Sequence, residues 1–278
     1  MGRERGVAVG LVLAAAGSLQ VGAAFAVTLF DELGPGGAAF LRLAFAALVL
    51  WAIWRPRIPV RARELRIAGG FGVALGLMNW SIYEAMDRIP LGVAVTIEFA
   101  GPLLVGVIGS RRPLDAVWVL LAAAGIVLLA DPGGGSIDGL GVLFALTAAV
   151  AWMAYIHMSK RTGETFPGGS GLALAMAIGA LVVLPAGVVQ AGGALAQPDL
   201  LGAVFAIALA SSVLPYSLEL EALRRLPAAV FGVLMSLQPA VAALAGFVVL
   251  GQQLGAPELA AIAMVVVASA GAAAFSGR

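Results

Sequence analysis

The 278-residue chain contains no cysteine, a single histidine and only 11% charged residues. Without thiols, disulfide cross-links, thiolate nucleophiles and zinc–thiolate sites are excluded. One histidine, with no H-E-x-x-H and no G-x-S-x-G, leaves neither a metal centre nor a catalytic triad a set of parts, so the chain does not read as an enzyme and calls for no cofactor or metal. The absence of an ATP-binding signature confines any energy source to an ion gradient or to the cargo itself. The scarcity of charge excludes a soluble globule, because typical soluble domains carry about 25% charged residues.

Apolar residues fill that space. They make up 62% of the chain, and the mean hydropathy is +1.04. Stretches of about 20 apolar residues recur, each long enough at about 1.5 Å per residue to cross roughly 30 Å of hydrocarbon. The pattern predicts ten helical spans near 7–30, 36–54, 66–86, 89–109, 114–130, 138–158, 170–190, 199–220, 228–248 and 256–275. The continuous runs exclude a barrel, whose strands would be about ten residues of alternating polarity. Too little chain remains for a sizeable soluble domain, so whatever the protein does is expected inside a lipid bilayer. The opening MGRERG imitates a signal peptide, but its apolar run is too long for an h-region and reads as an uncleaved first helix.

The basic residues orient the spans. With the N-terminus inside, fourteen of them fall on one face: Arg3, Arg5, Arg55, Arg57, Arg61, Arg63, Arg66, Arg111, Arg112, Lys160, Arg161, Arg224, Arg225 and Arg278. Arg88 alone falls on the other, and Arg42 lies in the membrane. Cytoplasmic loops carry the excess of Lys and Arg, so both termini are expected in the cytoplasm. This sidedness accounts for the basic residues without nucleic acid.

The chain also repeats. An offset of 137 lays EAMDRIPLGV (84–93) on EALRRLPAAV (221–230) and Pro102 on Pro239. A repeat of five helices is odd in number, so the second copy enters the membrane from the opposite side. The expected architecture is an all-α membrane protein of two inverted five-helix repeats, 1–132 and 138–278, joined through DPGGGSIDG. Inverted repeats are the architecture of alternating-access carriers, with the site near the midplane between the halves.

The segments YEAMDRIPLGVAVTIEFAGPLLVGVIGSRRPLD, AAVAWMAYIHMSKRTG and LPYSLELEALRRLPAAVFGVLMSLQPAVAALAGFVVLGQ resemble the EamA-type drug/metabolite transporter superfamily, and within it the bacterial threonine/homoserine exporters. The resemblance implies an inner-membrane exporter of small amino acids, driven by the proton gradient. Ser18 and Gln20 stand near where many EamA-type proteins carry a Trp-Gly pair. A carrier of the same fold with another cargo, such as an aromatic amino acid or a drug cation, is the alternative. Expected partners are the amino acid, the proton and the bilayer.

Glu98 lies nine residues into the fourth span, and Arg42 six into the second from the same side. Their depths, about 13 Å and about 9 Å, differ by less than a helical turn. They either pair or face each other across a cavity. Intramembrane ionisable groups mark substrate or ion pathways by default. A zwitterionic amino acid needs an anion for its ammonium and a cation for its carboxylate, which Glu98 and Arg42 would supply. A carboxylate that alternates between proton and amine would give antiport. The competing role is a permanent buried ion pair that ties two helices together.

Asn79 and Tyr83 share a face of the third span, continued by Met86 and flanked by Trp80 and Glu84. They read either as a polar cavity wall or, for the aromatics, as interfacial belt. Tyr216 falls on Asn79 under the offset and is a candidate wall or gate residue. Gln238, before Pro239, either donates to substrate or bonds a carbonyl freed by the proline. His157, beside Ser159-Lys160-Arg161, reads as interfacial, and Glu219, Glu221, Arg224 and Arg225 read as a solvated helix end or a gate. Gly72 and Gly76 have the spacing for close helix approach.

Overall fold

Prolines decide where the helices break. A proline gives no N–H to the carbonyl four residues back and crowds it with its ring. Pro102 therefore deprives the Glu98 carbonyl of its helical donor, Pro215 that of Ser211, and Pro239 that of Met235. A computed structural model, which describes residues 2–58, 61–108, 113–130, 138–223, 225–226 and 228–275, interrupts the chain at each of these places.

The helices run in order as α1 (Gly2–Val27), α2 (Phe30–Trp54), α3 (Ala62–Met86), α4 (Leu91–Glu98), α5 (Ala100–Ile108) and α6 (Pro113–Ala130). Then follow α7 (Gly139–Thr165), α8 (Ser170–Ala191), a 3₁₀ turn (Gly192–Ala196), α9 (Pro198–Ala208), a π turn (Leu209–Val213) and α10 (Leu214–Leu223). The chain ends with α11 (Ala228–Met235), α12 (Gln238–Leu250) and α13 (Ala256–Phe275). There is no strand among the described residues. Among the described residues, six helical segments are long and apolar enough to cross a membrane, and four apolar helices are shorter.

The expected spans differ from the structure in informative places. The fourth is split into α4 and α5 at Phe99, the ninth into α11 and α12, and the eighth is α9 and α10 joined by the π turn. The second begins before its expected start, because α2 continues through a bend at Gly34 (φ 66°) and Pro35. Apolar periodicity reports where a span lies but not where its backbone ladder fails. Asp138 starts the second half by capping α7, its Oδ1 accepting from the Leu140 and Gly141 amides. Most of the expected joint, residues 131–137, lies outside the described residues.

The most extensive packing is among α2, α3, α7 and α8. Small residues permit it. A Cβ on Gly72 would stand 2.5 Å from the Ile178 Cβ, and one on Gly76 2.9 Å from the Gly179 carbonyl oxygen, so α3 and α8 approach backbone to backbone. Gly101 is held as tightly, since a Cβ there would lie within clashing distance of the Ala149 carbonyl and fixes α5 against α7. These contacts seat the broken α4–α5 helix, and with it Glu98, against a rigid frame.

Candidate functional site

A cavity of about 590 Å³ runs through the bundle beside all three breaks. Its polar lining is Gln20 from α1, Arg42 from α2, Asn79 and Tyr83 from α3, Glu98 from α4, Ser211 from the π turn, Glu219 from α10, Gln238 from α12 and Ser269 from α13. Phe99, Trp152 and Tyr155 form an aromatic wall, with the Phe99 and Trp152 rings edge to face at 5.2 Å.

Glu98 is the last residue of α4, and its side chain is 8% exposed. Arg42 is 6% exposed and within electrostatic reach of Glu98. No hydrogen bond or ion pair joins the two among the described residues, and both line the cavity. Arg42 donates from Nη1 to Ser211 Oγ at 3.5 Å, and its guanidinium sits 4.9 Å from the centre of the Tyr83 ring. Its Nε is buried without an acceptor. A buried guanidinium with spare donors and a buried carboxylate with none are each under-satisfied. Together they place one acidic and one basic side chain on the same cavity wall.

The other predicted residues fall as follows. Asn79 lines the cavity with its amide nitrogen committed to the Leu75 carbonyl at 2.8 Å. Tyr83 is almost fully buried, its ring 5.5 Å from Phe30, and so is not an interfacial belt residue. Gln238 lines the cavity as expected, but its bond is across the bundle, with Oε1 accepting from Gln20 Nε2 at 2.6 Å. Tyr216 belongs to α10, and its side chain lies outside the described residues. His157 is held at an exposed position by a 2.9 Å contact from Nδ1 to the Met153 carbonyl.

Three site residues escaped the sequence. Gln20 had one signal, a polar residue in an apolar helix where many relatives carry another pattern. Ser211 had none, because the π turn shifts the helical register that places it against Arg42. The same turn leaves the Ala210 carbonyl to accept from Ser18 Oγ at 2.5 Å. Glu219, expected at a solvated helix end or a gate, is half-buried in the cavity wall.

The cavity has a closed end and an open one. Around Met86 and Val95 its lining is buried, whereas Glu219, Phe231 and Gly232 at the other end are half-exposed. Beyond the closed end, α4 packs on α12 so closely that a Cβ on Gly92 would sit 2.7 Å from the Ala243 Cα. Gln252 Oε1 accepts from the Leu91 amide there at 3.0 Å. A saturated carboxylate reinforces this end. Glu84 accepts from Trp80 Nε1 (3.0 Å), Gln190 Nε2 (2.7 Å) and Arg88 Nη1 (2.9 Å), and Gln190 Oε1 in turn accepts from the Gly36 amide (2.6 Å).

The sequence profile of the EamA-like transporter family matches residues 139–273. The chain is 41% identical over 264 residues to the Threonine/homoserine exporter RhtA of Escherichia coli (strain K12), covering 94% of this chain and 89% of that one. The RhtA of Salmonella typhimurium (strain LT2) is 40% identical over the same coverage. The Uncharacterized transporter YvbV of Bacillus subtilis (strain 168) is 28% identical over 163 residues, 54% of this chain and 52% of its own. One crystal structure matches the fold over 95% of both chains with a TM-score of 0.64 at 20% identity.

Proposed function

The chain belongs to the EamA-like transporter family, and from that premise we propose that it is a secondary exporter of small amino acids, threonine or homoserine foremost, working by alternating access with proton antiport. One observation carries the reading: Glu98 and Arg42 are buried and line one cavity without bonding each other, and Arg42 keeps a buried Nε with no acceptor. That is the charge arrangement an α-amino acid completes. Arg42 receives the carboxylate with Tyr83 behind its guanidinium, and Glu98 receives the ammonium or, in its absence, a proton. Mutually exclusive loading of Glu98 couples the two fluxes. Asn79 and Gln238 supply polar groups between them, and Tyr216 is the counterpart of Asn79 in the second half.

The frame for this cycle is ten spans in two inverted units, 1–132 and 138–278, in the bacterial inner membrane with both termini cytoplasmic. Three features support it: the basic-residue asymmetry, the proline breaks shared by α4–α5 and α11–α12, and the family match that begins at residue 139. On this orientation the cavity opens to the cytoplasm, as an exporter awaiting cargo requires. A second reading, an exporter of larger or aromatic amino acids, is favoured by the aromatic wall and by a volume well above that of threonine.

A competition panel decides between them. In proteoliposomes preloaded with threonine, excess homoserine should suppress labelled-threonine counterflow, and phenylalanine should leave it unchanged. Suppression by phenylalanine and not by homoserine would favour the second reading. Arg42→Ala should abolish counterflow of every zwitterion.

A further inference from the structure

Glu219 is the one charged cavity residue to which the scheme above gives no task. It lies on α10 in a stripe with Ser211 and Pro215, spaced four residues apart and all on the cavity wall. The stripe leads from the open end inward to Ser211, which touches Arg42. Among the described residues Glu219 makes no hydrogen bond or ion pair. Arg225, which follows it in the chain, is held by Glu221. The lining at the open end also includes Phe231 and Gly232 of α11, and among the described residues it carries no cation beside Glu219. The cavity therefore holds two carboxylates, Glu98 and Glu219, for one guanidinium, Arg42.

Distance separates their tasks. Eight residues of helix put Glu219 about 12 Å along the wall from Ser211. The amino nitrogen and carboxyl carbon of an α-amino acid are about 2.5 Å apart. Cargo entering from the mouth therefore meets Glu219 before its carboxylate reaches Arg42. If Glu219 binds cargo, it does so at a separate and earlier station.

We propose that Glu219 forms an entry subsite at the mouth of the cavity, which captures the ammonium group of the incoming amino acid before it reaches Glu98 and Arg42. The inference rests on the exporter reading of the same cavity. A carboxylate in a low-dielectric mouth raises the local concentration of cations and speeds their capture, an effect that salt screens. The cargo is then handed inward past Pro215 and exchanges Glu219 for Glu98.

The test is threonine uptake into everted vesicles that hold the full chain, at low and high ionic strength. For the wild type, KM rises with salt. Glu219→Gln raises KM about fivefold to tenfold at low salt, removes the salt dependence and leaves the maximal rate within about twofold. Glu219→Asp restores both KM and its salt dependence, which a purely structural role would not require. A Glu219→Gln protein with wild-type KM at both salt concentrations, or one that loses maximal rate at unchanged KM, would overturn the proposal. Glu98→Gln, measured in parallel, separates the two readings. If Glu98→Gln behaves as wild type while Glu219→Gln shifts KM, the inner site fails and the mouth stands; the reverse pattern removes the mouth alone.

Discussion

In the proposed repeat the 137-residue offset lays α4 on α11, yet the two helices occupy different environments. Every residue of α4 is buried, and its packing on α12 closes one end of the cavity. The described side chains of α11 are half-exposed or exposed, and α11 has no comparable packing on α5 among the described residues. The same contrast separates the two Glu-x-x-x-Arg pairs. At the closed end the Glu84 side chain is 4% and its partner Arg88 25% exposed, while Glu221–Arg225 lies at the open end with its side chains 37% and 42% exposed. One sequence pattern thus appears in two packing states. In an inverted repeat this is what a cavity open to a single side requires, because the contacts that seal one end are withheld at the other.

The largest expected effect breaks the comparison at its polar pairs. Glu84→Ala strands Arg88 and the Trp80 and Gln190 donors, and should destabilise by about 3–5 kcal/mol, the range for removing one partner of a buried pair. Glu221→Ala, at the solvated pair, should change stability by about 0–1 kcal/mol. Thermal unfolding in detergent compares them directly, and equal losses would refute the difference in packing.

Labelling sharpens the comparison, because a chain without cysteine gives no background. Ala94→Cys and Phe231→Cys are repeat-related positions, the first fully buried and the second on the cavity wall. A membrane-impermeant maleimide applied to the cytoplasmic face should label position 231 and leave position 94 unmodified over the same time. Comparable rates would mean that the cavity does not open where α11 places it.

A smaller effect concerns Gly101 and its counterpart Gln238. Gly101→Gln writes the second half's residue into the first and meets the Ala149 backbone, an overpacking that costs about 1–3 kcal/mol. Gln238→Gly creates no clash, but it loses the Gln20 bond and empties a fully buried position, so it should also unfold at a lower temperature. Smallest is Ser18→Ala, which removes the donor to the Ala210 carbonyl at the π turn and should lower stability by about 1 kcal/mol. If the unfolding midpoint of Ser18→Ala matches the wild type, that bond is not what holds the turn.

What was legible follows from what apolar length and isolated charge can report. Glu98 and Arg42 were found because ionised groups are rare in apolar helices, and Asn79 and Tyr83 because residues four apart share a face. Gln238 was found through the repeat, but its partner Gln20 was not, since a contact across 218 residues leaves no local pattern. Ser211 was hidden by a register shift that no 3.6-residue period contains. Glu219 was misplaced because the apolar run ends beside it, and the end of a run does not say whether the helix end faces bulk water or a cavity. The break beside Glu98 could have been read from Pro102 alone, since its missing N–H falls on the Glu98 carbonyl.

The two halves differ most simply in that one carries Glu98 where the other carries Met235. The direct test is proton-coupled flux in proteoliposomes, with threonine efflux followed with and without an imposed pH gradient for the wild type, Glu98→Gln and Met235→Gln. The account predicts gradient-accelerated efflux in the wild type and in Met235→Gln, and none in Glu98→Gln. Gradient-accelerated efflux that survives in Glu98→Gln would contradict it.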